Sequence, residues 1–115
     1  ESRRPIIGNI QAGLSGPAIR PMALLKVHQV YEAARGHGVP IIGQGGIETA
    51  RDAVEFMLTG ATAVGLGTAL FYEPMAAKAI NLGLEAYLER HGLASVAALI
   101  GGLDLARTLD VPASG

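Results

Sequence analysis

Two short apolar runs constrain this chain more than any other feature. They are Val39-Pro40-Ile41-Ile42-Gly43 and Ala61-Thr62-Ala63-Val64-Gly65-Leu66-Gly67. The first is rich in β-branched residues and lacks polar alternation, so both read as strands buried on both faces, as in a parallel sheet. Two such strands cannot make a stable sheet alone, because their outer edges would present unpaired amides and carbonyls. The sequence therefore predicts a piece of a larger sheet. A first residue of Glu rather than Met fits the same expectation.

The runs are set among helices. Pro17 and Pro21 lead into a helical period over Met22 to Arg35, with Ala23, Val27, Val30, Tyr31 and Ala34 on one face. Gly36 and Gly38 supply its C-terminal turn. Thr49 and Asp52 resemble a capping box opening a second helix, in which Val54, Met57 and Leu58 share the buried face and which Gly60 stops. Pro74 starts a longer helix to about Arg90, with Ile80, Leu84, Tyr87 and Leu88 inward. Ser95 is expected to cap a last short helix closed by Gly101-Gly102. Residues 1–16 read as a connection punctuated by Pro5, Gly8, Gly13 and Gly16, and the period fades after Asp104. The predicted domain is 1–103, with 104–115 as a tail. Helix–strand–helix–strand–helix–helix is βα-unit architecture.

The candidate chemistry lies just after the strands. Ile41-Ile42-Gly43-Gln44-Gly45-Gly46 and Ala63-Val64-Gly65-Leu66-Gly67-Thr68 share one form, 22 residues apart. In a barrel, neighbouring strand ends converge, and backbone N–H groups of two such loops can grip one phosphate where no side chain blocks approach. Thr68 adds a hydroxyl, and a short helix after it adds its dipole. Either loop alone also reads as a tight turn. The dinucleotide fingerprint fails, because Glu48 and Leu70 stand where its third glycine belongs, and no Lys-Ser/Thr pair makes a P-loop.

Other polar residues carry less. Ser15 in Gly13-Leu14-Ser15-Gly16 lacks the strand and spacing of a nucleophile elbow and reads as a donor to a ligand. His28 is mid-helix, His37 and His91 sit at helix ends as caps, and none has a second ligand at metal spacing. Glu48, Asp52 and Glu55 read as helix-start and solvent-face charges. Arg3, Arg4, Arg20 and Lys26 read as surface cations. There is no cysteine, so no disulfide or catalytic thiol arises within these residues. A net charge of −1 gives no basic field for nucleic acid or membrane surfaces. No apolar run approaches the roughly 18 residues of a membrane span, and no apolar leader follows Glu1-Ser2-Arg3-Arg4-Pro5, so a cytoplasmic protein is expected.

Arg3-Arg4-Pro5 with Asn9, then Gly13-Leu14-Ser15-Gly16-Pro17-Ala18-Ile19-Arg20-Pro21, closely resembles a stretch of class 1 dihydroorotate dehydrogenases. So do Pro40-Ile41-Ile42-Gly43-x-Gly45-Gly46-Ile47 and Gly60-Ala61-x-Ala63-Val64-x-x-Gly67-Thr68-Ala69. The Arg3-Arg4-Pro5 start and Gly83-Leu84-Glu85-Ala86-Tyr87-Leu88 resemble the NAD-linked type. The resemblance implies an α/β fold, the C-terminal portion of a (β/α)8 TIM barrel with its last two strands and outer helices. It implies FMN as cofactor and oxidation of dihydroorotate to orotate in pyrimidine synthesis. It implies a homodimer and, for the NAD-linked type, a second subunit carrying FAD and an iron–sulfur centre. By position, Ser15 and Gly16 contact the flavin, Gly45 and Gly46 give amides to its phosphate, and Gly67 and Thr68 complete the cradle.

Gln44, where an apolar residue is common, and Gln11-Ala12 depart from the family pattern. The family's catalytic base, flavin-contacting lysine and orotate-binding asparagines lie in an earlier part of the barrel and match nothing here, so no catalytic residue is assigned. Rival readings are another FMN-dependent barrel of the dihydropyrimidine dehydrogenase kind, and a non-catalytic phosphate-binding or assembly fragment.

Overall fold

A computed structural model describes residues 3–103, so the expected tail lies outside the described residues. A 3₁₀ turn (Pro17–Ile19) runs into helix α1 (Arg20–Ala34). Strand β1 (Ile42–Gln44), α2 (Ala50–Thr59), β2 (Ala63–Gly65), α3 (Ala69–Tyr72) and α4 (Ala76–Arg90) follow, then a 3₁₀ turn (Val96–Ala98). The two strands pair in parallel with Ile42 opposite Ala63, Gly43 opposite Val64 and Gln44 opposite Gly65. Only three residues of each expected strand enter the ladder. Ahead of it, the Thr62 hydroxyl accepts the Ile41 N–H at 3.2 Å and the Ile41 carbonyl accepts the Thr62 N–H at 2.8 Å.

The core lies between one face of this ribbon and α2, with α1 and α4 against α2. Phe56 is the largest fully buried side chain, joined by Ala53, Val54, Met57, Val27, Ile80 and Leu84. Gly43 makes room for it: a Cβ there would stand 2.6 Å from Phe56 Cδ1 and 3.1 Å from Ala61 Cβ. At the end of α2, Gly60 turns the chain at φ 131°, and its N–H bonds the Met57 carbonyl at 3.0 Å. The Tyr31 ring of α1 covers the bare backbone of both Gly60 and Gly101. Gly83 of α4 meets Ala50 at the start of α2.

Three expectations need correction. The strands are covered on one face only. Because side chains alternate, Gly43 and Val64 face the helices while Ile42, Gln44, Ala63 and Gly65 share the opposite face, where Ile42 is 67% exposed. Val30, expected inward, lies beyond the reach of α2 and is exposed, on an open apolar groove with Val39 and Ile42 along the free edge of β1. Ser95 stands at the N-cap of the last turn, but its side chain makes no capping hydrogen bond, for that turn is a single 3₁₀ loop. No helix among the described residues is long and apolar enough to cross a membrane.

Candidate functional site

Parallel strands in register end side by side, so the two glycine loops emerge next to one another. Together with the start of α1 they enclose a cavity of about 380 Å³. Ser15, Gly16, Gly45, Gly46, Gly67 and Thr68, the six residues expected to bind a cofactor, all line it. Residues distant in sequence are drawn together by specific contacts. The Thr68 hydroxyl donates to Ser15 Oγ at 2.8 Å, bridging the segment before α1 to the loop after β2. Gly16 adopts φ 94° and its carbonyl accepts the Ile19 N–H at 3.1 Å, which turns the chain into α1.

The backbone donors at these strand ends are free. Among the described residues, no hydrogen bond occupies the N–H of Gly45, Gly46, Gly67 or Thr68. These residues are half-buried or exposed, so water reaches their amides, and an anion with several acceptor oxygens can take its place in the cavity. The N-terminus of α2 contributes less. The Asp52 carboxylate accepts the N–H groups of Glu48 at 3.0 Å and Thr49 at 3.1 Å, and the Thr49 hydroxyl accepts that of Asp52 at 3.2 Å. The capping box thus takes up three of the donors near this helix start, those of Glu48, Thr49 and Asp52. Glu48 is the one ionisable side chain among the described residues lining the cavity.

The reason for glycine differs between the loops. A Cβ at Gly67 would meet nothing within 4 Å, so bareness there opens the cavity. At Gly45 (φ 128°) a Cβ would lie 2.7 Å from Ala23 Cβ, and at Gly46 (φ 74°) 2.7 Å from the Gly16 carbonyl oxygen. Those two glycines are required by α1 and its leading turn, not by the approach of a ligand from outside. Gln44 lies across Gly65, its register partner, on the open face of the strands.

Sequence reasoning placed Asp52 at the helix start, where it caps α2, but did not foresee its burial, and Arg20, expected at the surface, reaches it with Nη1 at 3.1 Å. The same nitrogen makes a long hydrogen bond, 3.4 Å, to the Gly46 carbonyl. An Asp at the third position of a capping box is drawn inward by the amides it holds, which was a usable signal. Its cationic partner lies too far along the chain for any local pattern. The histidine at the end of α4 does cap: His91 Nδ1 lies 2.9 Å from the Tyr87 carbonyl, its ring stacked on Tyr87. Among the described residues no cluster of His, Asp and Glu could hold a metal ion.

A model of the dihydroorotate dehydrogenase family matches residues 1–88. The chain belongs to the dihydroorotate dehydrogenase family. It is 57% identical over 103 residues to the catalytic subunit of dihydroorotate dehydrogenase B (NAD(+)) of Geotalea uraniireducens, matching 90% of this chain and 33% of that protein. The corresponding subunit of Trichlorobacter lovleyi is 52% identical over 104 residues, again 90% of this chain and 33% of the relative. Among solved structures, the ligand-free dihydroorotate dehydrogenase of Eimeria tenella superposes with a TM-score of 0.74 at 34% identity. It covers 89% of this chain and 28% of its own. The chain spans about a third of the length of the curated relatives it matches. Its parallel strands and outer helices are therefore a segment of the TIM barrel of the dihydroorotate dehydrogenases, as the open strand face and free edges had suggested.

Proposed function

We propose that this chain forms the FMN-phosphate end of a dihydroorotate-oxidising barrel, the catalytic base and the orotate-binding groups coming from other parts of the protein. The observation that carries the reading is the set of unengaged amides at Gly45, Gly46, Gly67 and Thr68 around one cavity. In this reading the Gly45 and Gly46 amides take phosphate oxygens from one side. The Gly67 and Thr68 amides take them from the other, with the open space at Gly67 allowing close contact. Ser15 and Gly16, at the cavity rim beside Thr68, face the flavin. FMN, when bound, supplies the two-electron acceptor for dihydroorotate. The task of these residues is binding and orientation, and no proton transfer is assigned to them.

The resemblance of the chain to NAD(+)-type catalytic subunits supports a further partner, an electron-transfer subunit bearing FAD and an iron–sulfur centre, on a homodimeric catalytic core. The free edges of β1 and β2 are where the remaining barrel strands belong, and their open face is where the interior side chains belong.

The test is Gly67→Val in the full-length protein. Because no atom stands near that Cβ, the variant is expected to keep its unfolding midpoint while bound FMN, read from flavin absorbance per protein, falls to a small fraction. Undiminished flavin content in a folded Gly67→Val protein rejects the cradle.

A further inference from the structure

The first glycine loop is held from behind by a polar cluster that lines no part of the cavity. Arg20 begins α1, Asp52 sits in the first turn of α2, and Gly46 lies between them. The Arg20 side chain is about one-third exposed and the Asp52 side chain 10% exposed. Arg20 Nη1 touches both Asp52 Oδ1 (3.1 Å) and the Gly46 carbonyl (3.4 Å), and Nε reaches Glu55 Oε2 at 4.0 Å.

Two consequences follow from elementary geometry and charge. In a trans peptide the carbonyl and the following N–H point in opposite directions. With its carbonyl held by Arg20, the Gly46–Ile47 peptide therefore turns the Ile47 N–H away from the guanidinium. Ile47 lines the cavity, and among the described residues no hydrogen bond occupies its N–H. The second consequence is electrostatic. Asp52 is buried and bonded to the N–H of Glu48, a residue of the cavity wall. A bare carboxylate there would oppose a phosphate in a low-dielectric setting, and the guanidinium beside it cancels that charge.

We propose that Arg20, paired with Asp52, is a positioning residue for the flavin phosphate. It fixes the Gly46–Ile47 peptide so that a third amide of this loop serves the anion, and it neutralises the buried Asp52 carboxylate behind the cradle. Arg20 itself does not touch the phosphate. The inference rests on the phosphate-cradle reading above and adds to it the source of its orientation.

The experiment uses full-length protein, with any partner subunits, stripped of flavin and titrated with FMN and with riboflavin, which lacks the phosphate. Binding is read from flavin fluorescence. Arg20→Met is expected to weaken FMN binding about tenfold or more, the range of a lost charge-assisted contact, with riboflavin affinity unchanged. Adding Asp52→Asn to Arg20→Met removes the uncompensated charge and is expected to recover part of the FMN affinity. Arg20→Lys, which keeps a cation beside Asp52 but not the planar fork, should shift the FMN-to-riboflavin ratio the same way by a smaller factor. It carries the test if Arg20→Met does not fold. An unchanged ratio in both Arg20 variants, or equal losses of FMN and riboflavin, overturns the positioning role. Wild-type protein that binds FMN no better than riboflavin overturns the phosphate cradle as well, so the two failures are distinguishable.

Discussion

The two glycine loops look alike in sequence and behave differently in the fold. In the first, the space beside Gly43 is filled by Phe56, that beside Gly45 by Ala23 and Ile19, and that beside Gly46 by Gly16, Arg20 and Pro17. In the second, Gly65 lies under the Gln44 side chain and Gly67 stands in open space. The first loop is a joint where α1, α2 and β1 close on one another, with its unengaged amides on the cavity side. The second is a rim: Leu66 packs toward the core, and the Thr68 hydroxyl donates to Ser15 across the cavity mouth. The same Gly-x-Gly spelling thus answers a packing demand in one place and an access demand in the other.

The comparison breaks most visibly at Gly46. Alanine there must accept φ 74° and a Cβ 2.7 Å from a backbone oxygen that cannot swing aside. Left-handed strain and overpacking together are expected to cost about 3 kcal/mol or more, read as a lower denaturant midpoint of the full-length protein. A stability loss as small as that of an ordinary surface change would mean that the first loop is not the joint described.

Gly43→Ala is the next largest expected effect. Its backbone is not in the left-handed region, so the cost comes from packing, chiefly the 2.6 Å approach to Phe56 with Ala61 Cβ at 3.1 Å, about 1–3 kcal/mol. Because the closest clash is with one side chain, Phe56→Leu should relieve part of it, and a double-mutant cycle should show a favourable coupling. Additive losses would place the strain elsewhere.

The fold was legible where local rules suffice. The capping box at Thr49 and Asp52, the stop at Gly60, and the inward face of Ile80, Leu84, Tyr87 and Leu88 all follow from spacing, and the structure bears them out. The convergence of Gly45, Gly46, Gly67 and Thr68 on one cavity was legible too, because parallel strands of like spelling must end together, whereas Ser15 and Gly16 were placed there by the family resemblance. What was not legible depends on through-space partners. Nothing local distinguishes Gly67, facing open space, from Gly45, facing α1. Likewise Phe56 becomes the centre of the core only because Gly43 approaches it. Val30 and Ile42 failed in the opposite direction, since their apolar character reflects surfaces that the described residues do not cover.

At Gly67 the expected stability effect is small. Gly67→Ala should change unfolding free energy by no more than about 0.5 kcal/mol, as for a surface position without special backbone geometry. A Gly67→Ala variant as damaged as Gly46→Ala would erase the distinction between joint and rim.

The smallest expected effect sharpens the comparison most, because it asks whether the hydroxyl bridge organises the rim. Thr68 Oγ1 donates to Ser15 Oγ at 2.8 Å, at a site open to solvent. An exposed hydroxyl pair of this kind contributes about 0.5–1 kcal/mol at most, since water replaces either partner. Thr68→Val and Ser15→Ala should therefore each leave the unfolding midpoint almost unmoved. Their effect belongs to the ligand. Each removes a hydroxyl facing the cavity and frees the opposite rim, so FMN affinity should fall by a factor of about 3–10. The double variant should lose less than the product of the single losses, because the second substitution removes a hydroxyl whose bridge is already gone. Strictly multiplicative losses would show that the two hydroxyls act on the flavin independently, and that the bridge does not organise the rim.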